Sequence, residues 1–307
     1  MAANNSLIVG ESSVYTVNNQ VILVQVLVSV FLCINFLLIT TFLLNDLFYR
    51  TMRYILFAVT LLSDCLFLVM TDILLILSYF RFSMQMWLCF LIYIVLSVYT
   101  FVTPITLTAM TLERYVAICM PLRHAELCSI RSALHCILII HGLSAVPCIF
   151  VLSIVFASAA HSFYAQDRVC TVEIFILHSW QSHFRSAVCQ SYFLIMCIII
   201  VFSYVKIMKV AKAASGENKK SSWKGLRTVV LHAFQLLLCL IQLWCPFIEA
   251  AVLQINVMLF INVRYFNYIT FILAPRCLSP LIYGLRDEKF FHSLKYYALC
   301  GLYKKQS

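Results

Sequence analysis

The sequence predicts an all-α membrane protein, a bundle of seven transmembrane helices that ends in a short amphipathic helix. Hydrophobic residues make up 63% of the 307 residues and charged residues only 11%, and the mean hydropathy is +0.96. A soluble core cannot hide so much apolar surface, whereas this composition is typical of polytopic membrane proteins. Seven apolar segments are long enough to cross a bilayer, which takes about 20 residues for a helix.

The apolar segments define the approximate limits of the spans. No repeat, low-complexity tract or soluble second domain is apparent, so residues 1–307 are expected to form a single seven-helix domain. The spans are expected at about 21–44, 54–79, 86–119, 132–156, 187–211, 228–249 and 262–285, and the surface helix at about 287–300.

The placement of the basic residues predicts the orientation. If the N-terminus is outside, only Arg81, Arg168, Arg185 and Arg264 lie outside, Arg276 lies within the membrane, and the other basic residues face the cytoplasm. Cytoplasmic loops of multi-pass proteins carry the excess of positive charge. We therefore expect a plasma-membrane protein with an extracellular N-terminus and a cytoplasmic C-terminus. Anionic lipids and cytosolic partners account for the net charge of +10 without nucleic acid.

The N-terminal segment is expected to remain on the chain and to lie outside. The first 20 residues are polar and lack lysine and arginine, so no removable signal peptide is expected. Asn4 begins an Asn-Asn-Ser sequon for N-linked glycosylation, which has meaning because the topology places it outside. Use of this sequon and its chance occurrence both fit the sequence.

Polar residues interrupt the first, second and seventh spans. Asn35 lies in the first span and Asp64 in the second. A carboxylate near the middle of a membrane is unfavourable unless it faces the bundle interior and a partner. Arg276, four residues before Pro280, is expected on the face that looks toward Asp64. We expect an Asp64–Arg276 pair; the alternative is that Arg276 binds backbone carbonyls loosened around Pro275 and Pro280.

The inner end of the third span carries the triplet Glu113-Arg114-Tyr115, followed by Val-Ala-Ile-Cys-Met-Pro-Leu at residues 116–122. An acid beside an arginine at the membrane edge can act as a latch. Glu113 can hold Arg114 by a charge-assisted hydrogen bond until the acid is protonated or displaced. The alternative is an arginine that reaches out to lipid headgroups.

Proline marks the sixth and seventh spans. In the sixth, Pro246 removes a backbone hydrogen bond and can form a hinge, while Trp244, two residues earlier, can sense what fills the cavity. Core packing is the alternative for a lone tryptophan. The seventh span ends with Ser279-Pro280-Leu-Ile-Tyr283, and an amphipathic segment follows it.

In this order and at these spacings, the motifs from Asn35 to Phe290 resemble those of rhodopsin-like (class A) G-protein-coupled receptors. The third-span motif is similar to that of odorant receptors, a fish-type group among them. Two departures stand out: Leu243 replaces the usual cysteine, and Ser279 replaces the usual asparagine. The resemblance implies a receptor that lies among membrane lipids, binds a small extracellular odorant and activates a heterotrimeric G protein, which raises cyclic AMP. It also implies that the protein is not an enzyme and needs no cofactor.

The resemblance also implies roles for individual residues. In the family, the aspartate that matches Asp64 helps to bind a sodium ion that stabilises the inactive form, and here Arg276 would stand in for that ion. Tyr204 matches a tyrosine that meets the freed arginine in the active state. The residues implied in coupling and in the activation switch are Glu113, Arg114, Tyr115, Tyr204, Trp244, Pro246, Ser279, Pro280 and Tyr283.

Two of the 14 cysteines stand apart from those scattered through the spans. The resemblance implies a disulfide between Cys89, at the outer start of the third span, and Cys170, in the long outer loop. Cys189 could compete for this pairing. Cys300, beside the amphipathic tail, is either palmitoylated or a free thiol. No Cys-x-x-Cys or His-Glu-x-x-His spacing occurs, so no metal site is expected.

The ligand pocket is expected between the outer halves of spans three, five, six and seven. Leu96 matches the aspartate of amine receptors, which argues against classical monoamines. Two acids in the outer halves of their spans could favour a cationic or hydrogen-bonding ligand, or could bond to neighbouring polar groups. The expected ligand-binding residues are Asp72, Leu96, Ser97, Thr100, Tyr192, Phe247, Ile248, Glu249, Ala251 and Ile269.

Two other functions fit the sequence less well. The same receptor fold could respond to a pheromone, a nucleotide or a peptide. A ligand-gated channel or transporter with seven spans would need the opposite orientation, or a polar pore and internal repeats, which are not apparent.

Overall fold

The computed structural model describes residues 2–46, 48–159, 161–164, 166–175, 179–214, 234–235, 237–239, 241–278 and 288–298. Within this part of the chain, six helices are long and apolar enough to cross a membrane, and they coincide with the predicted spans one to five and seven. These helices are Asn18–Leu43, Met52–Tyr79, Met86–Cys119, Ile130–Ser158, His183–Val210 and Val257–Leu278. The all-helical membrane fold is confirmed.

Two of the predicted spans need comment. The sixth, at about 228–249, falls partly outside the described residues. Its C-terminal part overlaps a helix that starts at Cys245. The seventh begins at Val257, five residues before the predicted start at 262, and its predicted end from residue 279 onward lies outside the described part.

The helices are numbered α1 to α10 in chain order, and two short strands and three other helical turns connect them. The elements are α1 Ala2–Leu43, a 3-10 turn Phe48–Arg50, α2 Met52–Tyr79, β1 Ser83–Gln85, α3 Met86–Cys119, α4 Pro121–Leu127, α5 Ile130–Ser158, α6 His161–Tyr164, β2 Asp167–Val169, a 3-10 turn Val172–Phe175, α7 Ser179–Ala214, α8 Cys245–Leu253, α9 Val257–Asn267, a π-helical segment Tyr268–Leu273 and α10 Glu288–Ala298.

Helix α3 is the central element of the bundle. In the most apolar stretch of α3, 50% of the residues are buried, against 11–33% in the most apolar stretches of the other five spanning helices. It packs against α2, α5 and α7. The outer helices expose large apolar side chains such as Phe36 (72% exposed) and Leu138 (70%). A bilayer, unlike water, accommodates such side chains without penalty.

A small sheet and a disulfide close the end of the bundle at which α3 begins. This is the predicted extracellular end, named the outer end, and the opposite end of the bundle is named the inner end. Strands β1 and β2 pair antiparallel, with Met84 opposite Arg168. The predicted disulfide between Cys89 and Cys170 is confirmed, with the Cα atoms 5.5 Å apart. Because Cys170 directly follows β2, the bond and the sheet together hold the long outer loop against the start of α3.

The predicted C-terminal helix is present as α10. Phe290 is 1% exposed and packs against Phe48 and Phe57, with ring centroids 5.1 Å and 5.5 Å away. Tyr297 donates a hydrogen bond to the carbonyl of Leu44 at 3.1 Å. These contacts fasten α10 to the inner ends of α1 and α2.

Candidate functional site

A buried polar cluster joins α2, α3 and the seventh span near the middle of the bundle. Arg276 Nη1 lies 2.8 Å from Asp64 Oδ1, and Thr103 donates a 2.7 Å hydrogen bond to the same oxygen. Arg276 also donates to the Thr103 hydroxyl at 3.2 Å. All three residues are at most 2% exposed. Each charge is therefore balanced inside the membrane by its partner and by a neutral hydroxyl.

The surroundings orient the arginine. Its guanidinium carbon lies 3.5 Å from the centroid of the Phe67 ring, one turn beyond Asp64 on α2. Gln235, from the sixth span, donates a 3.0 Å hydrogen bond to the carbonyl of Pro275, the residue before Arg276. The π-helical segment Tyr268–Leu273 precedes this proline, and such segments often occur at functional sites.

Asn35 belongs to the neighbourhood of this cluster from the side of α1. It is 1% exposed, and its side chain lies beside that of Cys65, the neighbour of Asp64 in α2. The three residues that were expected to form an intramembrane polar centre are thus close together. Thr103 is an additional member that sequence reasoning missed. A threonine in a helix usually bonds to its own backbone, so nothing in the sequence sets this one apart.

A second polar cluster lies at the inner end of α3. Glu113 is 8% exposed, and its Oε1 lies 3.3 Å from Nε2 of His124 in α4. Cys128, the C-cap residue directly after α4, completes the group, since the ligand atoms of the three side chains lie within 4.8 Å of one another. Burial raises the pKa of the Cys128 thiol, and the charge of Glu113 raises it further.

The sequence relates Glu113 only to its neighbour Arg114 and does not point to His124. The available signal was Pro121, which is favoured in the first turn of a helix and begins α4 two residues after α3 ends. A turn so short directs the new helix back along the end of α3. Arg114 itself is half-buried at the same inner end.

Two tyrosines of the expected switch belong to one apolar cluster between α3 and α7. Tyr204, on α7, is 7% exposed, and Tyr115 packs against the same cluster. The ring of Tyr115 lies 6.0 Å from that of Phe202. Leu243, from the sixth span, touches the cluster as well. Residues from spans three, five and six therefore meet beside Tyr115, the residue that follows Arg114 in the motif.

The sixth span is interrupted at the expected hinge. Residues 242–244 form a turn, and α8 restarts at Cys245 with Pro246 in its first turn, where a missing N–H is tolerated. Trp244 is 49% exposed. A shallow cleft, too narrow for a ligand as it stands, lies here between α7 and the sixth span; it is lined by Ser186, Cys189, Gln190, Phe193, Leu243, Trp244 and Phe247.

The expected pocket residues have different neighbours. Leu96 is 7% exposed, and its carbonyl accepts a 2.7 Å hydrogen bond from Thr100. Tyr192 bonds instead to the carbonyl of Leu143 on α5, at 2.9 Å. Ser97 lies next to Tyr93 and Cys148. Ile248 and Ala251 are on the exposed face of α8, whereas Ile269 packs toward α1 and α2. Only Phe247 reaches the cleft.

The two outer acids have protein partners. Gln25 donates a 2.6 Å hydrogen bond to Asp72. Glu249 lies 3.5 Å from the Nε atom of Arg264 and accepts a 3.0 Å hydrogen bond from Asn267. Each acid therefore stabilises contacts between neighbouring spans, which corresponds to the alternative of bonding to neighbouring polar groups.

Several expected site residues lie outside the described part of the chain. They are Ser279, Pro280, Tyr283 and Cys300. Asn4 falls within α1, but its side chain is not described.

Comparison with known proteins gives matches over nearly the whole chain. The family model described as 7 transmembrane receptor (rhodopsin family) matches residues 34–283. Odorant receptor 131-2 of Danio rerio is 43% identical over 288 residues, which cover 94% of this chain and 88% of that receptor. Galanin receptors 2b and 2a of the same fish are 23% identical over 254 residues and 26% over 211, covering 73% and 62% of this chain and 61% and 52% of theirs.

Proposed function

Because the chain belongs to the rhodopsin family of seven-transmembrane receptors, we propose that it is an odorant receptor that activates a heterotrimeric G protein and raises cyclic AMP. The observation that carries this proposal is the 43% identity with Odorant receptor 131-2 over 94% of the chain. The weaker galanin-receptor matches cover only 61% and 52% of those receptors' length. They leave a peptide ligand as the second candidate.

We place the N-terminus outside the cell. The disulfide between Cys89 and Cys170 supports this orientation, because such bonds form in the oxidising environment reached by extracellular segments. Arg114 lies at the opposite end of α3 from Cys89, where a cytosolic partner can reach it. Glycosylation of Asn4 and palmitoylation of Cys300 follow this orientation as proposals.

Activation is a shift between two arrangements of the bundle. A ligand that binds one arrangement more tightly increases its population. The turn before Pro246 and the cluster around Tyr115 and Tyr204 join spans three, five and six. Movement of the sixth span away from this cluster would open the inner face around Arg114 for the G protein. The docking of that partner needs no catalytic group on this chain.

The buried ion pair holds the resting arrangement together. The Arg276 guanidinium contacts Asp64 on α2 and Thr103 on α3 at the same time, so it supplies the positive charge that the family resemblance assigns to a sodium ion. Unlike a free ion, it cannot dissociate. We therefore expect the resting state of this receptor to be insensitive to sodium.

The ligand is proposed to be small and largely apolar. The cleft beside Trp244 and Phe247 has mainly apolar walls, with polar groups from Ser186 and Gln190, a combination typical of small-molecule sites. A cationic ligand would have to displace Arg264 from Glu249 or Gln25 from Asp72. The cleft must widen to admit any ligand, and the interrupted sixth span provides a place where that can happen.

The test is a cyclic AMP measurement in cells that express the full chain, with a broad panel of water-soluble odorants and surface expression recorded in parallel. We expect a response in the wild type that is lost in Arg114→Ala at equal surface level. Arg131→Ala is the matched control, since it removes an exposed charge at the start of α5 on the same side; it should keep the response.

Two results would contradict the proposal. A response to peptides but to none of the odorants would favour the second candidate. An odorant-evoked ion current that persists in Arg114→Ala, without any G protein, would identify a channel instead.

A further inference from the structure

The inner ends of α3 and α4 bring together three side chains that commonly bind transition metals. Glu113 lies on α3, His124 lies on α4, and Cys128 is the C-cap residue directly after α4. Their ligand atoms lie within 4.8 Å of one another. Among the residues that the structure describes, this is the one group of three such side chains close enough to share a metal ion. We propose that Glu113, His124 and Cys128 form a zinc site that clamps α4 to α3.

The chemistry of the three ligands favours zinc over calcium and magnesium. Zn²⁺ is bound in proteins by thiolate, imidazole and carboxylate, at about 2.0–2.3 Å, usually as a tetrahedron. Ca²⁺ and Mg²⁺ prefer sites made only of oxygen atoms. Three protein ligands leave the fourth position of the tetrahedron for water. This site escapes motif searches because its first ligand is 11 residues from the second.

The distances are already close to those of a bound site. Ligands of a tetrahedral zinc ion are roughly 3.5 Å apart, given the bond lengths above. Glu113 Oε1 and His124 Nε2 are 3.3 Å apart. The Cys128 sulfur lies within 4.8 Å of both ligand atoms, so it must approach them by roughly an ångström at most. A change in the Cys128 side-chain torsion can provide this movement without any change in the backbone.

The backbone presents two of the ligands together. His124 and Cys128 are four residues apart, which places both side chains on one face of a helix. The Cys128 N–H donates to the His124 carbonyl at 2.9 Å, so the last turn of α4 is closed between them. That face is turned toward Glu113, as the contact with His124 demonstrates.

The site is accessible from the cytoplasm. The His124 side chain is 36% exposed, whereas that of Glu113 is 7% exposed. Zinc can therefore enter beside the imidazole and reach the carboxylate within. On binding, the metal displaces the proton of the Cys128 thiol, since the thiolate is the ligand form. The ion would also balance the largely buried charge of Glu113.

The clamp has a consequence for coupling that rests on the proposed function, whereas zinc binding itself does not. Glu113 precedes Arg114, and α4 forms the second inner loop beside it. Zinc would fix this loop to α3 and so oppose a rearrangement of the inner surface. The experiment below measures the metal and the clamp directly, so its outcome does not depend on coupling to a G protein.

The first measurement is the zinc affinity of the purified full chain in lipid nanodiscs, by competition with a fluorescent chelator. The test variants are His124→Ala and Cys128→Ser. His135→Ala and Cys119→Ser are matched controls, because they remove an exposed histidine and a half-buried thiol from neighbouring positions. Loss of residues that merely support a ligand typically weakens metal binding 10–100-fold. Loss of a ligand should therefore weaken it by at least about tenfold, and the controls should match the wild type.

Two further readouts exclude adventitious zinc on other thiols. Co²⁺ in place of zinc should give a sulfur-to-metal charge-transfer band that disappears in Cys128→Ser but persists in Cys119→Ser. Zinc should also slow amide hydrogen exchange in Pro121–Leu127 in the wild type, but not in His124→Ala. Equal zinc affinity in the test variants and the wild type would overturn the site. Unchanged exchange in α4 with zinc bound would overturn the clamp.

Discussion

Arg276→Gln is expected to destabilise the receptor strongly, because it leaves Asp64 charged and without its partner inside the membrane. The two side chains are 2% and 0% exposed, and 2.8 Å separates their nearest atoms. Removing one member of a buried ion pair typically lowers the free energy of unfolding by about 3–5 kcal/mol. Arg264→Gln is the matched control, since Arg264 is 47% exposed in its pair with Glu249. Such pairs contribute about 0–1 kcal/mol.

The assay is thermal unfolding of the purified chain in detergent, followed by tryptophan fluorescence, in sodium chloride and in choline chloride at equal ionic strength. Wild type should unfold at the same temperature in both salts, because the guanidinium occupies the position of a cation. Arg276→Gln should unfold at a lower temperature and regain part of the loss in sodium, which can then bind Asp64. Asp64→Asn with Arg276→Gln should be more stable than Arg276→Gln alone, since no buried charge is left unpaired.

These measurements distinguish the ion pair from the alternative in which Arg276 mainly binds backbone carbonyls loosened around Pro275. If the backbone contacts were the main ones, the second substitution at Asp64 would restore nothing, and sodium would have no effect on Arg276→Gln. The reasoning is refuted if Arg276→Gln unfolds like the wild type and responds to sodium like the wild type.

Three smaller changes test other contacts by the same unfolding assay. Thr103→Val removes the 2.7 Å hydrogen bond to Asp64 and should cost about 1.5–3 kcal/mol, as for other bonds to charged groups; a loss equal to that of Arg276→Gln would contradict this ranking. Cys170→Ser opens the disulfide to Cys89 and should cost about 2–4 kcal/mol, whereas Cys189→Ser should behave like the wild type. Phe290→Ala empties a position that is 1% exposed and should cost about 3–5 kcal/mol; the half-buried Phe291→Ala is its control and should cost clearly less.

The spanning helices could be predicted because length and hydropathy alone define them. Six of the predicted spans have counterparts among the described residues, with differences of a few residues at their ends. Helix α4 could not be predicted in this way. It has only seven residues, Pro121–Leu127, and so short a segment at the membrane surface shows no clear periodicity. The early start of α9 at Val257 was missed because the boundary of an apolar run does not determine where its helix begins.

The site was predictable where a residue is chemically unusual for its surroundings. A carboxylate and an arginine within apolar spans must each find a partner, and this requirement related Asp64 to Arg276 across 212 residues of sequence. The ligand pocket lacks such a requirement. Its residues were chosen by helical phase, which ignores the tilt and rotation of each helix. A rotation of α8 is enough to leave Ile248, 43% exposed, on its outer face.

Helix α3 connects the polar cluster in the middle of the bundle with the polar cluster at its inner end. Thr103 and Glu113 are ten residues apart on this helix, a distance of about 15 Å. Thr103 is hydrogen-bonded to Asp64 and Arg276 near the middle of the bundle, while Glu113 contacts His124 at the inner end. Because both contacts are made by residues of one continuous helix, a shift of α3 along its axis or a turn about it would strain both of them. The two clusters therefore restrain one rigid body, and releasing either should make it easier for α3 to move.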